Sequence, residues 1–457
     1  MKKLKNNTSL IMVTMAMMIL ATSCKKSFYT SVNRNTNAPD PTSIIPSVML
    51  STVEGTLAYT QGGDISRYTS LLTQQTSSTS RQAGAYYQYT FTSVDFDSPW
   101  GNLFTSVMEN NHTLMQISDS KGDNAYGGIS RILMAYSLQL AVDEWGSMPY
   151  AEAFQGASKL QPKYDIDKDL YDTIANLLTT AVSKLNDPNP GVDAPGVEDV
   201  MFGGDLTRWI KFAHAIQARL YMHQSKADVS MANKALAEIA QSFSSNADNA
   251  QYIFASTETA ANPWYQFNEQ RGDITFDTSP LGVQMATDND PRYLLFTDPT
   301  FTDVNLVGMG PYYGNINSPV EFICYDEILF MKAEATLIST GDIMAAQAFY
   351  RAAITANMKK LGVPDANITV YIASKGTLPL TVNGAITKVS GEEYITLYLN
   401  PEAFTLWRRN NSPVLTPVSG ALGVPRRFLY PQTEYSYNSA NVPTSATLFS
   451  PKIFWDK

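Results

Sequence analysis

The stretch EFICYDEILFMKAEATLISTGDIMAAQAFYRAAITANMKKLG (321–362) constrains the fold more than any other. Apolar residues recur at three-to-four spacing on both sides of Gly341–Asp342, which predicts two helices over 321–340 and 342–362. Glycine ends a helix by tolerating left-handed backbone, and aspartate starts the next by accepting from its free N–H groups. Ala333, Ala335, Ala346 and Ala353 let the two backbones approach closely, while Tyr350 and Ile354 fill the groove. That is the logic of a tetratricopeptide-like helical hairpin, here without a strict repeat period.

The same spacing recurs at 47–60, 65–75, 100–118, 126–146, 170–187, 205–225 and 229–243, and again near 390–410. Asp205 suits the N-cap of the 205–225 helix, and Asp165, Asp167 or Asp169 the start of the 170–187 helix. Between about 247 and 320 the pattern breaks into Gly, Pro, Asn and Thr, so any strands there are short. The C-terminal segment is rich in Pro and aromatics and is expected to wrap the helical body. The fold class that follows is mainly α, with tetratricopeptide-like helical hairpins and a loop-rich insertion around 247–320.

The N-terminus reads as an address. Lys2, Lys3 and Lys5 precede an apolar run from Leu10 to Leu20, then Ala21, Thr22 and Ser23, which is the order of a secretory signal over residues 1–23. Cys24 directly follows these small residues and suits a lipobox, whose thiol takes a diacylglycerol. The alternative is an ordinary cleaved signal with an incidental cysteine. Residues 24–43 then form a tether and 44–457 the folded domain. Several acyl chains hold a protein firmly, at about 0.8 kcal/mol for each buried methylene.

The leader carries three lysines and no acids, so the remaining 30 basic and 42 acidic side chains leave a net charge of −12. An acidic chain argues against nucleic acid or an anionic membrane surface as partner. After Cys24 only Cys324 remains, which excludes an internal disulfide; its apolar helical setting predicts a buried, inert thiol. Tyrosine is frequent, with 25 copies beside 20 Phe and 6 Trp. Many belong in the core, but AYYQYTF (85–91), NPWYQF (262–267) and GPYYGN (310–315) set aromatics among loop-forming residues, where rings suit flat apolar faces of polar ligands.

Catalytic motifs are scarce. His112, His214 and His223 lack zinc-site spacing and read as structural. DIDKD (165–169) begins like a calcium loop, but Leu170 and Asn176 replace the required Gly and Glu. No nucleophile elbow, P-loop or dinucleotide fingerprint is present, and RGD (271–273) is too short to use. No metal and no cofactor is expected. A glycosidase needs two carboxylates about 5–10 Å apart, and nothing in the sequence marks such a pair.

Several segments together resemble the SusD/RagB family of outer-membrane lipoproteins of Bacteroidetes. LMAYSLQLAVDEWGSMPYAEA (133–153) is similar to its helix followed by an Asp-x-x-Gly-x-x-Pro-Tyr turn. DLTRWIKFAHAIQARLYM (205–222), NDPRYLLFT (289–297), YDEILFMKAEA (325–335), GEEYITLYLNPEAFTLWRR (391–409), VPRRFLYPQTEYSYNSANV (424–442) and KIFWDK (452–457) match further motifs in the family's order. The resemblance implies four tetratricopeptide-like hairpins forming a superhelical scaffold, with an irregular, loop-rich face that binds ligand. It also implies a SusC-like TonB-dependent barrel as partner and an oligosaccharide nutrient as ligand, with peptide as the rival. Surface display is implied too, although Lys25 and Lys26 after the anchor supply no acidic residues.

Most motif residues read as structural: Arg408, Arg409, Arg426 and Arg427 suit Glu side chains or loop carbonyls through their planar forks. The candidate ligand residues come from composition and context: Arg81, Tyr86, Tyr87, Tyr89, Trp100, Trp264, Tyr265, Tyr312 and Tyr313. Trp100 opens an apolar helix and serves equally well as core, and tyrosines 86, 87 and 89 alternate as on a half-buried strand. A surface hydrolase with an unmarked carboxylate pair and a scaffold binding only proteins remain open alternatives.

Overall fold

Helices carry nearly all of the regular structure in the computed structural model, which describes residues 45–78, 80–191, 193–297 and 308–457. The leader, Cys24 and the tether lie outside the described residues, as do 298–307 of the loop-rich segment. The described residues start with α1 (Pro46–Thr60), then a widened turn (Gln61–Ile65), α2 (Ser66–Leu72) and α3 (Arg81–Tyr87). Next come α4 (Glu109–Lys121) and α5 (Asn124–Trp145); α5 is buried on almost every side, as an all-round apolar helix must be. Alongside α5 runs α6 (Asp167–Leu185), and α7 (Leu206–Gln224) pairs with α8 (Ser230–Ile239).

Beyond α8 lies the loop-rich segment. Its longer regular pieces among the described residues are β1 (Ala250–Ile253), α9 (Pro263–Gln270), α10 (Pro280–Thr287) and β2 (Pro319–Ile323), with β1 and β2 antiparallel. Helices resume with α11 (Tyr325–Thr340), α12 (Ile343–Lys360), α13 (Asp365–Lys375), α14 (Val382–Thr396) and α15 (Glu402–Asn410).

Helix ends follow the local chemistry. Asp205 caps α7, accepting from Thr207 N at 2.9 Å and Arg208 N at 3.2 Å. Gly341 ends α11 at φ 68°, and Asp342 opens α12 by accepting from Ala345 N at 3.0 Å. Ala333, Ala335, Ala346, Ala353, Tyr350 and Ile354 are all fully buried, although Ala333 and Ala335 stand about 200° apart around α11 and so do not both face α12. Three expectations need correction. Residues 321–323 are strand, because Val320 and Phe322 alternate inward while Glu321 faces Lys360 at 2.9 Å, so buried Cys324 precedes α11 instead of lying within it. Asp165 does not cap α6; it accepts from Tyr150 N and Ala151 N, both at 2.8 Å, and closes the Pro149–Tyr150 turn. The 390–410 helix is broken before α15 at Pro401, which has no N–H to continue it.

The last carbonyls of α5 have no partners within the helix. The C-terminal wrap supplies them. Arg408 Nη1 donates to Asp143 O at 2.5 Å, Phe428 N to Glu144 O at 2.7 Å, and Arg427 Nη2 to Trp145 O. In return Trp145 Nε1 donates to Leu429 O at 2.9 Å, and Trp455 Nε1 to Asp143 Oδ1 at 3.1 Å. Arg409 pairs with Glu334 of α11 and Arg426 with Asp456, so all four arginines are structural. The Asp-Pro-Arg loop is pinned the same way: fully buried Arg292 meets Asp290 and Glu392, each at 2.6 Å, and Asn357 at 3.0 Å. Arg427→Ala is expected to lose about 2–3 kcal/mol by orphaning the Trp145 carbonyl, and Arg427→Lys to recover only part, because a single ammonium cannot replace the fork. Urea midpoints of the three proteins measure this.

Candidate functional site

Two segments far apart in sequence, α3 and α9, face each other across α2 and bound an open cleft of about 240 Å³. α9 forms because Asn262 accepts from Trp264 N at 2.8 Å and Tyr265 N at 3.2 Å while Pro263 occupies the first helical position. The Asn-Pro pair is thus a helix start and not the loop expected for 262–267. The turn between α1 and α2 kinks at Gly63 (φ −87°, ψ −122°). Gly62 is required there, since a Cβ would fall 2.5 Å from Val320 Cγ2. This kinked turn and the start of α2 bring Asp64 and Arg67 to the cleft wall.

Phe267 is the centre of the cleft. The Arg67 guanidinium lies 4.8 Å from its ring centroid and the Arg271 guanidinium 5.6 Å. Arg67 is held by Asp64 at 2.6 Å; Arg271 is held by Asp273 at 2.8 Å and by Gln82 Oε1 at 3.2 Å. Tyr59 donates to Gln266 Oε1 at 3.2 Å on the same rim. Tyr86 forms a wall and donates to Asp95 Oδ1 at 2.6 Å, while Asp95 Oδ2 accepts from Thr92 N and Oγ1. Burial, and then Asp95, push the Tyr86 phenol far up, so it stays a neutral donor. The cleft offers a half-buried ring with two guanidinium forks over it and side-chain amides at its rim.

The nine sequence-selected residues scatter. Tyr86 lines the cleft, and Arg81 stands beside it, donating to Arg271 O at 3.0 Å. Tyr86 and Tyr87 belong to α3 and not to a loop or strand; Tyr87 and the buried Tyr89 lie outside the cleft lining. Trp100 is core: it is 4 % exposed, stacks on Phe104 at 4.3 Å and meets Trp145 edge-on at 5.4 Å. Trp264 is buried behind the cleft, donating to Ser66 Oγ at 2.9 Å, and Tyr265 points to Glu258 at 3.2 Å. Tyr312 donates to Glu321 at 2.5 Å, and Tyr313 is packed edge-on against Phe296 and Tyr398. Tyr59, Asp64, Arg67, Phe267 and Arg271 were not anticipated. The Gly62–Gly63 pair inside a helical pattern was the available signal, since paired glycines there mark a break.

Titratable clusters lie elsewhere. Asp143, His223 and Glu402 bring possible ligand atoms within 4.8 Å of one another. Both ring nitrogens are already engaged, Nε2 with Glu402 and Nδ1 with the Tyr171 hydroxyl, each at 2.8 Å. Burial lowers the His223 pKa, but Glu402 and Asp143 outweigh it and lift it to about 9, so this is a buried imidazolium. Glu54 sits against Asp199, both sealed from solvent. Burial first, then Asp199, push Glu54 up to about 10, from an ordinary 4.5. A folded-state value raised this way gives stability that is full below 4.5 and is lost as pH rises towards 10. Glu54→Gln, which mimics the protonated form, should match the native protein at pH 4 and exceed it by about 1–3 kcal/mol at pH 8. Urea denaturation at the two pH values measures the difference.

The fold and cleft define a protein of helical hairpins that carries a shallow aromatic–polar face on its irregular side. Residues 37–431 match the SusD-like family described as "Starch-binding associating with outer membrane", and the chain belongs to that family. A chitin-binding protein of known structure superposes with a TM-score of 0.76 at 21% identity, covering 90% of this chain and 100% of its own. A SusD/RagB family protein from Bacteroides thetaiotaomicron VPI-5482 gives 0.73 at 20% identity, covering 91% and 99%. A chitin-binding SusD homolog from Flavobacterium johnsoniae gives 0.72 at 19%, covering 90% and 97%. These likenesses establish the shared fold. No curated protein matches the chain. Among the described residues, no helix is long and apolar enough to cross a membrane.

Proposed function

We propose that this protein captures oligosaccharide at the outer membrane, held there by lipid on Cys24, and passes it to a SusC-like TonB-dependent barrel. The observation that carries the reading is Phe267, half-buried between two guanidiniums at an open cleft. Sugar rings present C–H patches that stack on such a ring, and their hydroxyls match the Gln82, Gln266 and Arg271 groups around it. The family's description as starch-binding and the two chitin-binding structures support a glycan as the ligand class. Capture without hydrolysis suits the cleft, because its lining has one carboxylate, Asp64, already paired with Arg67, whereas glycoside cleavage uses two. The site comprises Tyr59, Arg67, Tyr86, Phe267 and Arg271, with Arg81 beside it.

Calorimetric titration of the mature chain in detergent with chito-oligosaccharides, malto-oligosaccharides and short peptides tests the proposal. Saturable heat from one glycan class is expected. Phe267→Ala should weaken it at least about tenfold, roughly 1.4 kcal/mol, while Trp100→Phe leaves it unchanged. Heat from peptides alone would replace the glycan, and product formation from an oligosaccharide would overturn capture without cleavage. Intact mass reads the anchor: a mature N-terminus other than a lipidated Cys24 would sink that part.

A further inference from the structure

A small chamber of about 10 Å³ lies between α5, α7 and the turn that leads into α15, and it shares no lining residue with the Phe267 cleft. Tyr136, Gln139, Leu140 and Asp143 recur at three-to-four spacing, so one face of α5 forms a wall. Arg219 of α7 and Asn400 and Glu402 of the turn stand opposite. All lining residues but Glu402 are buried, and the Glu402 side chain is only 10 % exposed.

Two lining side chains have unmet hydrogen-bonding groups. Gln139 is 2 % exposed and Glu144 1 %. Among the described residues, neither the amide oxygen nor the amide nitrogen of Gln139 has a partner, and Glu144 Oε2 has none. Their neighbours are engaged. Tyr136 donates to Gln61 Oε1 at 2.7 Å, and Asn400 donates from Nδ2 to Glu321 O and accepts at Oδ1 from Glu402 N, both at 3.0 Å. A buried amide left unmet is costly, so the chamber calls for a molecule that both donates and accepts.

Charge and size narrow the occupant. Asp143 and Glu402 face the His223 imidazolium at 3.5 and 2.8 Å, and Arg219 reaches Glu402 at 3.5 Å. A two-pronged bond to Arg219, at 2.8 and 2.7 Å, keeps Glu327 charged against its burial. Arg408 lies 3.9 Å from Glu144, yet burial outweighs it and lifts Glu144 to about 8, so this carboxyl keeps its proton at neutral pH. Three carboxylates, Asp143, Glu402 and Glu327, thus answer three cations, His223, Arg219 and Arg408. The occupant is therefore neutral, and the volume suits a single water.

We infer that this chamber seats one structural water, which accepts from the Gln139 amide and bonds to the Glu144 carboxyl. Glu144 is also the residue whose carbonyl receives Phe428 N, so the water steadies the side chain at a position that the C-terminal wrap grips.

A high-resolution crystal structure of the mature chain reads this directly. One oxygen peak is expected within hydrogen-bond reach of both the Gln139 amide and Glu144 Oε2, without anomalous signal. Gln139→Met, similar in length but without the amide, should lose that peak and lower the urea midpoint. Leu140→Val, on the same wall, should keep it. In solution, oxygen-17 relaxation dispersion should count one long-lived water fewer in Gln139→Met than in the native protein. No peak in the native chain, direct contact between Gln139 and Glu144, an anomalous scatterer in the chamber, or a peak or water count unchanged in Gln139→Met would each overturn the inference.

Discussion

The carbonyl end of α5 is the constraint around which the molecule is arranged. A helix buried on almost every side cannot hand its last carbonyls to water, so the chain must supply donors. It does so from far away, with Arg408, Phe428 and Arg427 meeting three successive carbonyls. Two of these donors are cationic and lie at the negative end of the helix dipole, which strengthens both contacts. Because the donors belong to the C-terminal segment, that segment has to lie across the end of α5. The wrap is thereby a requirement of α5, and the body of the fold is closed by its last residues.

The wrap also reaches the cleft. Phe428 lies 4.9 Å from Phe96 and 6.1 Å from Tyr68, and Tyr68 meets the Tyr86 wall edge-on at 4.9 Å. Tyr86 in turn stacks on Phe91 at 4.5 Å. One aromatic cluster thus joins the segment that caps α5 to the surface offered to ligand. The rigidity of that wall comes from packed rings, and Asp95 sets its orientation.

Much of this was legible in the sequence, for identifiable reasons. Helices were readable because their apolar period is local, and the Gly341–Asp342 and Asp205 ends because caps depend on neighbours two or three residues away. The arginine partners followed from the fork of guanidinium and the Pro-rich tail. The family followed from motif order across the chain. The cleft was far less readable. Which face of a tryptophan is covered depends on segments remote in sequence: the composition around Trp264 suits a ligand residue, yet Ser66, 198 positions away, receives its N–H. Phe267, one helical turn later, is half-buried and lines the cleft. Composition picks out aromatic-rich stretches, but only the tertiary fold decides which ring in each is free.

The kink at Gly63 has a consequence for how such a surface changes over time. Each residue advances an α-helix by about 100° around its axis, so a widened turn offsets the phase of everything after it. Ahead of the kink, α1 keeps Leu50, Val53 and Leu57 inward; beyond it, α2 sends Leu71 and Leu72 inward while Arg67 reaches Phe267. Arg67 and Leu71 are four residues apart on one face of α2, so the offset at the turn aims both of them together. Gain or loss of one residue at the turn would swing both by about 100°, taking Arg67 off Phe267 and Leu71 out of its packing at once. The wall offered to ligand is thereby tied in length to the core beneath it, and recognition here is free to change by replacing side chains but not by insertion or deletion.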